Sequence, residues 1–338
     1  MHCPVCGDDH IQPAGDLLAT LPAVFTPCSR CRPVRLGTNA PPPEEYAPAP
    51  PCTCGRRFID AVFADIHRIL TGAGIFDGTE ALRTVGTPVT DPGFVMTAPP
   101  FLPPRSLVLL SPHPDRRTAE RIVAEVPEVR GVVRTTPALP GIDPDGGTAA
   151  HELLAGCDVQ ANVFPTASGD IVIYKELSKL HIEFPRPHNP KIRAVEREIR
   201  RTNPRTFIDA CCGAGTLGLA AALAGTPEVI FCDLWGPAVR WTAINIAVNR
   251  DSLLVDEVTL PHDGIEAVRR DRPVTVARAD GDQHFRVCQG DYADLPPLLA
   301  RPERSIAALD IFGKEERSAC NAALERWRGA GGGNAFIP

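Results

Sequence analysis

Apolar residues recur along this chain with two different periods, and each change of period marks a change of element. Residues 58–70, Phe-Ile-Asp-Ala-Val-Phe-Ala-Asp-Ile-His-Arg-Ile-Leu, place them at helical spacing, and Gly72 and Gly74 end the run. A helix is predicted there. Residues 106–110 form a short apolar run that reads as a strand, residues 115–126 an amphipathic helix and residues 129–134 another strand, which together make a small α/β unit. The period then drops to two. Residues 159–163 and 171–174 read as strands of a hairpin turned around Ser168-Gly169-Asp170, and residues 180–184, Leu-His-Ile-Glu-Phe, alternate as a half-buried strand does. Helical spacing returns over residues 191–201, where Lys191, Arg193, Arg197, Arg200 and Arg201 are set against Glu196 and Glu198. Such a basic helix suits either a solvated, charge-paired face or contact with phosphates. Proline clusters at 40–51 and 99–104 exclude helix and read as spacers. No run approaches the 18 apolar residues of a membrane-spanning helix.

From residue 206 the pattern becomes strand, turn, helix. The apolar run Thr206-Phe207-Ile208 enters Asp209-Ala-Cys-Cys-Gly-Ala-Gly-Thr216, and the small-residue stretch from Leu217 to Gly225 leaves it. Gly213 and Gly215 let backbone come close to a ligand where a Cβ would clash, and the free N–H groups at the helix start favour an anionic group such as a carboxylate. The GxGxxG spacing of a dinucleotide site fits only when read out of step with the acid. Three further apolar runs end in an acid, at Asp233, Asp291 and Asp310. The order acid, three residues, GxG resembles the first motif of class I S-adenosylmethionine (SAM) methyltransferases. That resemblance implies a Rossmann-like α/β domain in which Asp209, Gly213 and Gly215 hold the cofactor, Asp233 binds the ribose hydroxyls, Asp291 faces the adenine edge, and the strand ending at Asp310 faces the acceptor.

Composition adds a second feature. The chain has 338 residues, 43% of them hydrophobic, enough for two or three domains, and its net charge of −6 gives no overall attraction to nucleic acid. A polyanion site must be a local patch. Of the twelve cysteines, six lie within the first 54 residues and the others are scattered through predicted strands and helices, where buried thiols in a reducing cytoplasm are expected. The opening Met1-His-Cys-Pro-Val-Cys lacks the charged and apolar regions of a secretory signal. Cys3-Pro-Val-Cys6 and Cys28-Ser-Arg-Cys31 are two CxxC pairs, and four thiolates suit a tetrahedral Zn²⁺ that is structural, because no coordination position stays open. Cys3, Cys6, Cys28 and Cys31 are the leading set for one ion. Cys28, Cys31, Cys52 and Cys54 close a loop of similar size and are the alternative, with His2 and His10 as possible substitutes. The segment has few large apolar residues, whereas structural zinc contributes roughly 10 to 16 kcal/mol in small zinc peptides, which favours metal over an iron–sulfur cluster or redox-sensing thiols.

A narrower resemblance covers residues 105–312. The succession of the α/β unit, Glu152-Leu-Leu-Ala-Gly156, the hairpin, the Phe184-Pro-Arg-Pro187 loop, the basic helix and the glycine turn resembles the tRNA guanine-37 N1-methyltransferases and their wybutosine-forming relatives. Ile244-Asn245 and Val248-Asn249 resemble the asparagine pattern on the helix after their second strand. It implies that Arg186 lies beside the cofactor and target base. Where that family carries an Asn-Leu-Pro motif this chain has Asp310-Ile-Phe-Gly313, so Asp310 is the candidate to accept a hydrogen bond or a proton and Phe312 to stack on a planar base. Residues 251–284 read as a long insertion with a hairpin turned at Asp280-Gly281. A fifth strand is expected at 335–337 with no sixth or seventh after it, so the usual terminal hairpin is absent or replaced from elsewhere.

The expected architecture is α/β: a zinc-ribbon-like module over 1–57, a helix and proline-rich linker over 58–104, a small α/β module with a β-hairpin over 105–190, and the Rossmann-like SAM-binding domain over 191–338. The expected function is SAM-dependent methyl transfer to RNA, tRNA in particular, in the cytoplasm. The alternatives are a protein acceptor of the ribosomal-protein type or a small metabolite, transfer of the aminocarboxypropyl group of SAM, and a non-catalytic zinc- and SAM-binding module.

Overall fold

The computed structural model describes residues 1–48, 50–142, 148–260 and 264–338. Its first half contains α1 (Ala14–Val24), α2 (Ile59–Gly72), β1 (Thr87–Thr90), β2 (Leu107–Ser111), α3 (Arg116–Glu125), β3 (Val129–Arg134) and β4 (Glu152–Gly156). The strands form one sheet in the order β1-β2-β3-β4, antiparallel except for the β2–β3 pair that α3 connects. Asp115 caps α3 by accepting the Thr118 N–H at 2.7 Å. β2 is buried at every position because it has cover on both faces. Leu107 and Leu109 meet the stripe Val62, Phe63, Ile66 and Leu70 of α2 together with Ala119 and Ile122 of α3, while Val108 and Leu110 face Leu177 on the other side. Arg57, only 7% exposed, donates to both carboxylate oxygens of the buried Glu128, at 2.8 and 2.6 Å, and also pairs with Asp65. Bidentate geometry of this kind is what offsets the desolvation of buried charges.

The second half begins with the hairpin of β5 (Val159–Thr166) and β6 (Gly169–Glu176), paired from Val159 opposite Glu176 to Thr166 opposite Gly169. It continues with α4 (Pro190–Thr202), β7 (Thr206–Asp209), α5 (Thr216–Leu223), β8 (Glu228–Asp233), α6 (Gly236–Val248), β9 (Val255–Thr259), β10 (Val274–Gly281), β11 (His284–Gln289), β12 (Ser305–Ala308), α7 (Arg317–Gly329) and β13 (Asn334–Phe336). Seven strands form one sheet in the order β9-β10-β11-β8-β7-β12-β13. The run from β11 to β13 is parallel, and β10 and β9 add antiparallel at one edge. That antiparallel pair comes from the expected insertion. β7 is buried throughout, with Phe207 in the cluster shared with α5 and α6 and Ile208 in the cluster around Trp327 of α7. A parallel sheet covered on both faces has this continuous apolar character. Strand order reverses between β7 and β12, and such a sheet binds its ligands outside the carboxyl ends of the strands at that point.

Two side chains of α6 join the hairpin to this sheet. The Asn245 amide accepts the Tyr174 N–H at 2.7 Å and donates to the Tyr174 carbonyl at 2.8 Å, and Asn249 does the same for Val172 at 3.0 and 2.7 Å. Both amides are fully buried and stand in for a neighbouring strand along β6. They also link the hairpin to the glycine turn, since Asn245 donates to the Ala214 carbonyl at 2.9 Å.

Several boundaries differ from expectation. Ile11, Ala14 and Leu17 belong to the apolar cluster of the hairpin and seven-stranded sheet, whereas Phe25 packs with α2 and α3, so the first 57 residues are divided between the two halves. α2, expected as the helix ahead of the proline-rich linker, packs on the four-stranded sheet, and β1 is one of that sheet's strands. Residues 180–184 are not a strand. Pro185 and Pro187 follow at once and cannot extend a ladder, and the preceding carbonyl of Lys179 instead accepts the Trp235 indole N–H at 3.1 Å.

Candidate cofactor site and cysteine clusters

β7 ends on the buried Asp209. Its Oδ2 accepts the Gly218 N–H at 2.8 Å, tying the strand end to the first turn of α5, while Oδ1 is buried without a partner among the described residues. Burial pushes this carboxyl up to about 7; the Gly218 N–H opposes that, and the charges of Asp310 and Asp233 add to it. Gly213 and Gly215 hold φ at +52° and +87°, the left-handed region that favours glycine. A Cβ on Gly218 would lie 2.1 Å from the Phe231 ring, whereas one on Gly213 would meet nothing within 4 Å. The turn is therefore closed towards the core and open above Gly213.

Asp233 braces the same turn. Its Oδ2 accepts the Gly213 N–H and its Oδ1 the Trp235 N–H, each at 2.9 Å, which leaves each oxygen a lone pair for a further donor. Burial raises its pKa against both of those N–H groups. Asp291 accepts the Ala293 N–H at 2.9 Å and pairs with Arg326 at 2.6 Å; the Arg326 guanidinium also lies over the Tyr292 ring, 5.4 Å from its centre. Asp310 sits between Lys191 and Lys314, with both ammonium nitrogens at 2.7 Å. Burial works against the Lys191 charge, but Asp310 outweighs it and holds the lysine above its ordinary pKa. Burial, then the charges of Asp233, Asp209, Asp310 and Asp291, push the Cys211 thiol well above its usual range.

Other predicted residues fall differently. Arg186 is exposed on the loop before α4 and makes no hydrogen bond or ion pair with any described residue. Phe312 is 49% exposed, with its ring edge-on to His181 at 6.4 Å. Sequence reasoning missed Lys175. It is buried, its pKa is lowered to about 8 by that burial and by Lys191 against the pull of Glu183, and it lies over the Phe164 ring. It also missed Lys314 as a partner of Asp310, although the spacing of four residues was available as a signal.

The leading cysteine set does not assemble. Cys28, Cys31, Cys52 and Cys54 come together, with sulfurs 3.8 Å apart for Cys28–Cys31, 3.6 Å for Cys28–Cys52 and 3.5 Å for Cys31–Cys54. Cys3 and Cys6 lie in a separate group with His10 and Cys157. The reason is local: the short Arg57-Phe58 ladder to Leu102 and Phe101 holds the 52–54 turn beside the 28–31 turn, whereas residues 3–17 turn away onto the hairpin.

Residues 191–278, from α4 to β10, match the family model described as ribosomal protein L11 methyltransferase (PrmA). No curated protein matches the chain. Among solved structures it is similar to Trm1 from Pyrococcus horikoshii in complex with SAM, at 21% identity over 45% of this chain and 36% of that one, with a TM-score of 0.30. It is also similar to the putative transferase PH0793 from Pyrococcus horikoshii, at 17% identity over 74% and 70% with a TM-score of 0.38, and to TYW2 of P. horikoshii in complex with MeSAdo, at 16% over 74% and 70% with a TM-score of 0.36. The chain thus spans about a third of the Trm1 chain. The sheet order and glycine turn are those of a Rossmann-like α/β fold, and residues 191–278 are similar to a class I SAM-dependent methyltransferase family. No helix among the described residues is long and apolar enough to cross a membrane.

Proposed function

We propose that this chain methylates RNA, with tRNA as the substrate class, using SAM held at the Asp209–Thr216 turn. The residues fit the cofactor. The open face above Gly213 and the α5 N-terminus suit its carboxylate, the unpartnered Asp209 Oδ1 can accept from its ammonium, the free lone pairs of Asp233 suit ribose hydroxyls, and Asp291 and Tyr292 flank the adenine position. Bound SAM supplies an electrophilic methyl group. The protein's own contribution would be to hold the cofactor through Asp209 and Asp233 and to position the acceptor against its methyl group.

The observation that carries the RNA reading is the double use of α4. Its first turn gives Lys191 to Asp310, and its outer face gives Arg193, Arg197 and Arg200 to a groove against Pro165–Ala167 and Pro187–Asn189. An acceptor strand tracked by those arginines would enter beside the exposed Phe312, whose face suits a planar base. Asp310, paired with two lysines, is placed to accept a hydrogen bond from the acceptor. Cys28, Cys31, Cys52 and Cys54 fit one structural zinc, their sulfurs standing at the separations of a tetrahedral thiolate set.

The PrmA match favours a second reading, a protein acceptor. Transfer of labelled methyl from SAM to total RNA and total protein separates the two, alongside tRNA binding at two salt concentrations. The RNA reading expects label in tRNA, a steep loss of affinity with salt, and weaker binding for Arg197→Ala and Arg200→Ala. Label confined to protein, with no tRNA binding at low salt, would replace RNA with a protein as the acceptor.

A further inference from the structure

The second cysteine group is left over once the first zinc set is complete. We propose that Cys3, Cys6, His10 and Cys157 bind a second zinc ion, which fastens the amino terminus to the base of the β5–β6 hairpin. All four ligand atoms lie within 4.8 Å of one another. The Cys3 and Cys157 sulfurs are 3.8 Å apart, and His10 Nε2 is 3.3 Å from the Cys6 sulfur and 3.5 Å from that of Cys157. A tetrahedral ion with Zn–S of about 2.3 Å and Zn–N of about 2.0 Å has S–S edges of about 3.8 Å and S–N edges of about 3.5 Å. A disulfide would need about 2.05 Å. The observed spacing is that of a shared ion.

The backbone on both sides is shaped for the ligands. Residues 3–7 form a tight turn, with Gly7 at φ +81° donating to the Cys3 carbonyl at 2.8 Å and the Val5 N–H reaching the Cys3 sulfur at 3.4 Å. Cys157 lies between β4 and β5, just after Gly156 at φ +75°. A Cβ on Gly156 would lie 2.1 Å from the Arg130 carbonyl oxygen, and one on Gly131 would lie 2.3 Å from the Cys157 carbonyl oxygen. Glycine at both places fixes where the Cys157 thiol can stand. Cys3 and Cys157 are 2% and 1% exposed and Cys6 and His10 are half-buried, and four protein ligands leave no coordination position open, as in a structural site. Three thiolates and a dication leave one negative charge; the buried Arg130, itself paired with Asp91, lies 3.4 Å from the far side of the His10 ring. Beyond this cluster the segment is held by contacts such as the Gln12 N–H to the Tyr174 hydroxyl at 3.0 Å. Tyr174 is the residue whose backbone Asn245 clamps beside the glycine turn, so the ion would stiffen the hairpin against the cofactor domain.

The test is zinc content per chain of the purified full-length protein. The wild type is expected to hold two equivalents, Cys157→Ser and Cys52→Ser one each. A single equivalent that persists in Cys157→Ser and disappears in Cys52→Ser would overturn the proposal. Should Cys157→Ser misfold, cobalt supplied in place of zinc during expression reads the same quantity in the wild type: thiolate-to-cobalt absorbance for two tetrahedral ions supports the site, and absorbance for one removes it. Alkylation of denatured, unreduced protein should modify all twelve cysteines. Two protected cysteines, mapped to Cys3 and Cys157, would show a disulfide in place of the ion.

Discussion

The turns at 28–31 and 52–54 pack on two aromatic rings, Phe58 and Phe101, set edge to face 5.1 Å apart. The seven-stranded sheet instead buries Phe207, Phe231, Leu219 and Trp241 completely, with alanine-rich α5 pressed against them. In one region four thiols converge where apolar area is scarce; in the other, polar groups are admitted into an abundant core. Loss of a ligand should therefore mean different things in the two places. In the cysteine region a bound metal would be part of the fold, and in the sheet a bound cofactor would be a guest.

The largest effect is expected from Cys52→Ser, which breaks the four-sulfur set. Structural zinc contributes roughly 10 to 16 kcal/mol in small zinc peptides, far more than two aromatic side chains return. Residues 26–57 should lose hydrogen-exchange protection and become open to proteolysis, while the affinity for S-adenosylhomocysteine stays that of the wild type. Unchanged protection in the variant would show that the region holds without its metal.

Sequence made the sheet domain readable and left the front end ambiguous for a physical reason. The four strand-end acids Asp209, Asp233, Asp291 and Asp310 each close an apolar run, and the charge of each is felt at the Cys211 thiol. Periodicity reports such features because each strand carries its own signal. Ligand sets carry none: Cys157 is 154 residues from Cys3, and nothing around it in sequence marks it off from the other scattered thiols. The roles of Asn245 and Asn249 were similarly hidden, since a helix sequence does not show which strand its amides will clamp. Arg186 was named from a loop resemblance, and a loop position is the placement least fixed by local pattern.

A smaller effect probes the charge that the sheet domain tolerates. The Asp209 carboxyl is raised from 3.8 to about 7, so between those values the native state holds a proton that the unfolded chain has lost. Stability then falls as pH rises through that window, and the full cost is present above pH 7. Asp209→Asn keeps an oxygen for the Gly218 N–H and cannot ionise. Relative to wild type it should gain roughly 2 to 4 kcal/mol between pH 4 and pH 8. Denaturant unfolding of the ligand-free proteins at the two pH values reads this, and parallel pH dependence in both would remove Asp209 as the source.

The smallest effect completes the comparison, because it repeats the first lesion in the other region. Asp233 braces the turn through the Gly213 and Trp235 N–H groups, and the space above Gly213 is open to water when the side chain is removed. Asp233→Ala should leave the thermal unfolding of the sheet domain near that of the wild type, since the surrounding strands β7, β8 and β11 stay buried by apolar contacts. Its cost should appear in binding. A carboxylate that accepts two ribose hydroxyls is a charged hydrogen-bond partner, and its loss weakens affinity by roughly 1.5 to 3 kcal/mol, or about ten- to 150-fold. Calorimetry with S-adenosylhomocysteine measures this directly. Equal affinity in the variant would take the ribose away from Asp233, and collapse of the domain would show that this side chain, like the cysteines, is a ligand the fold depends on.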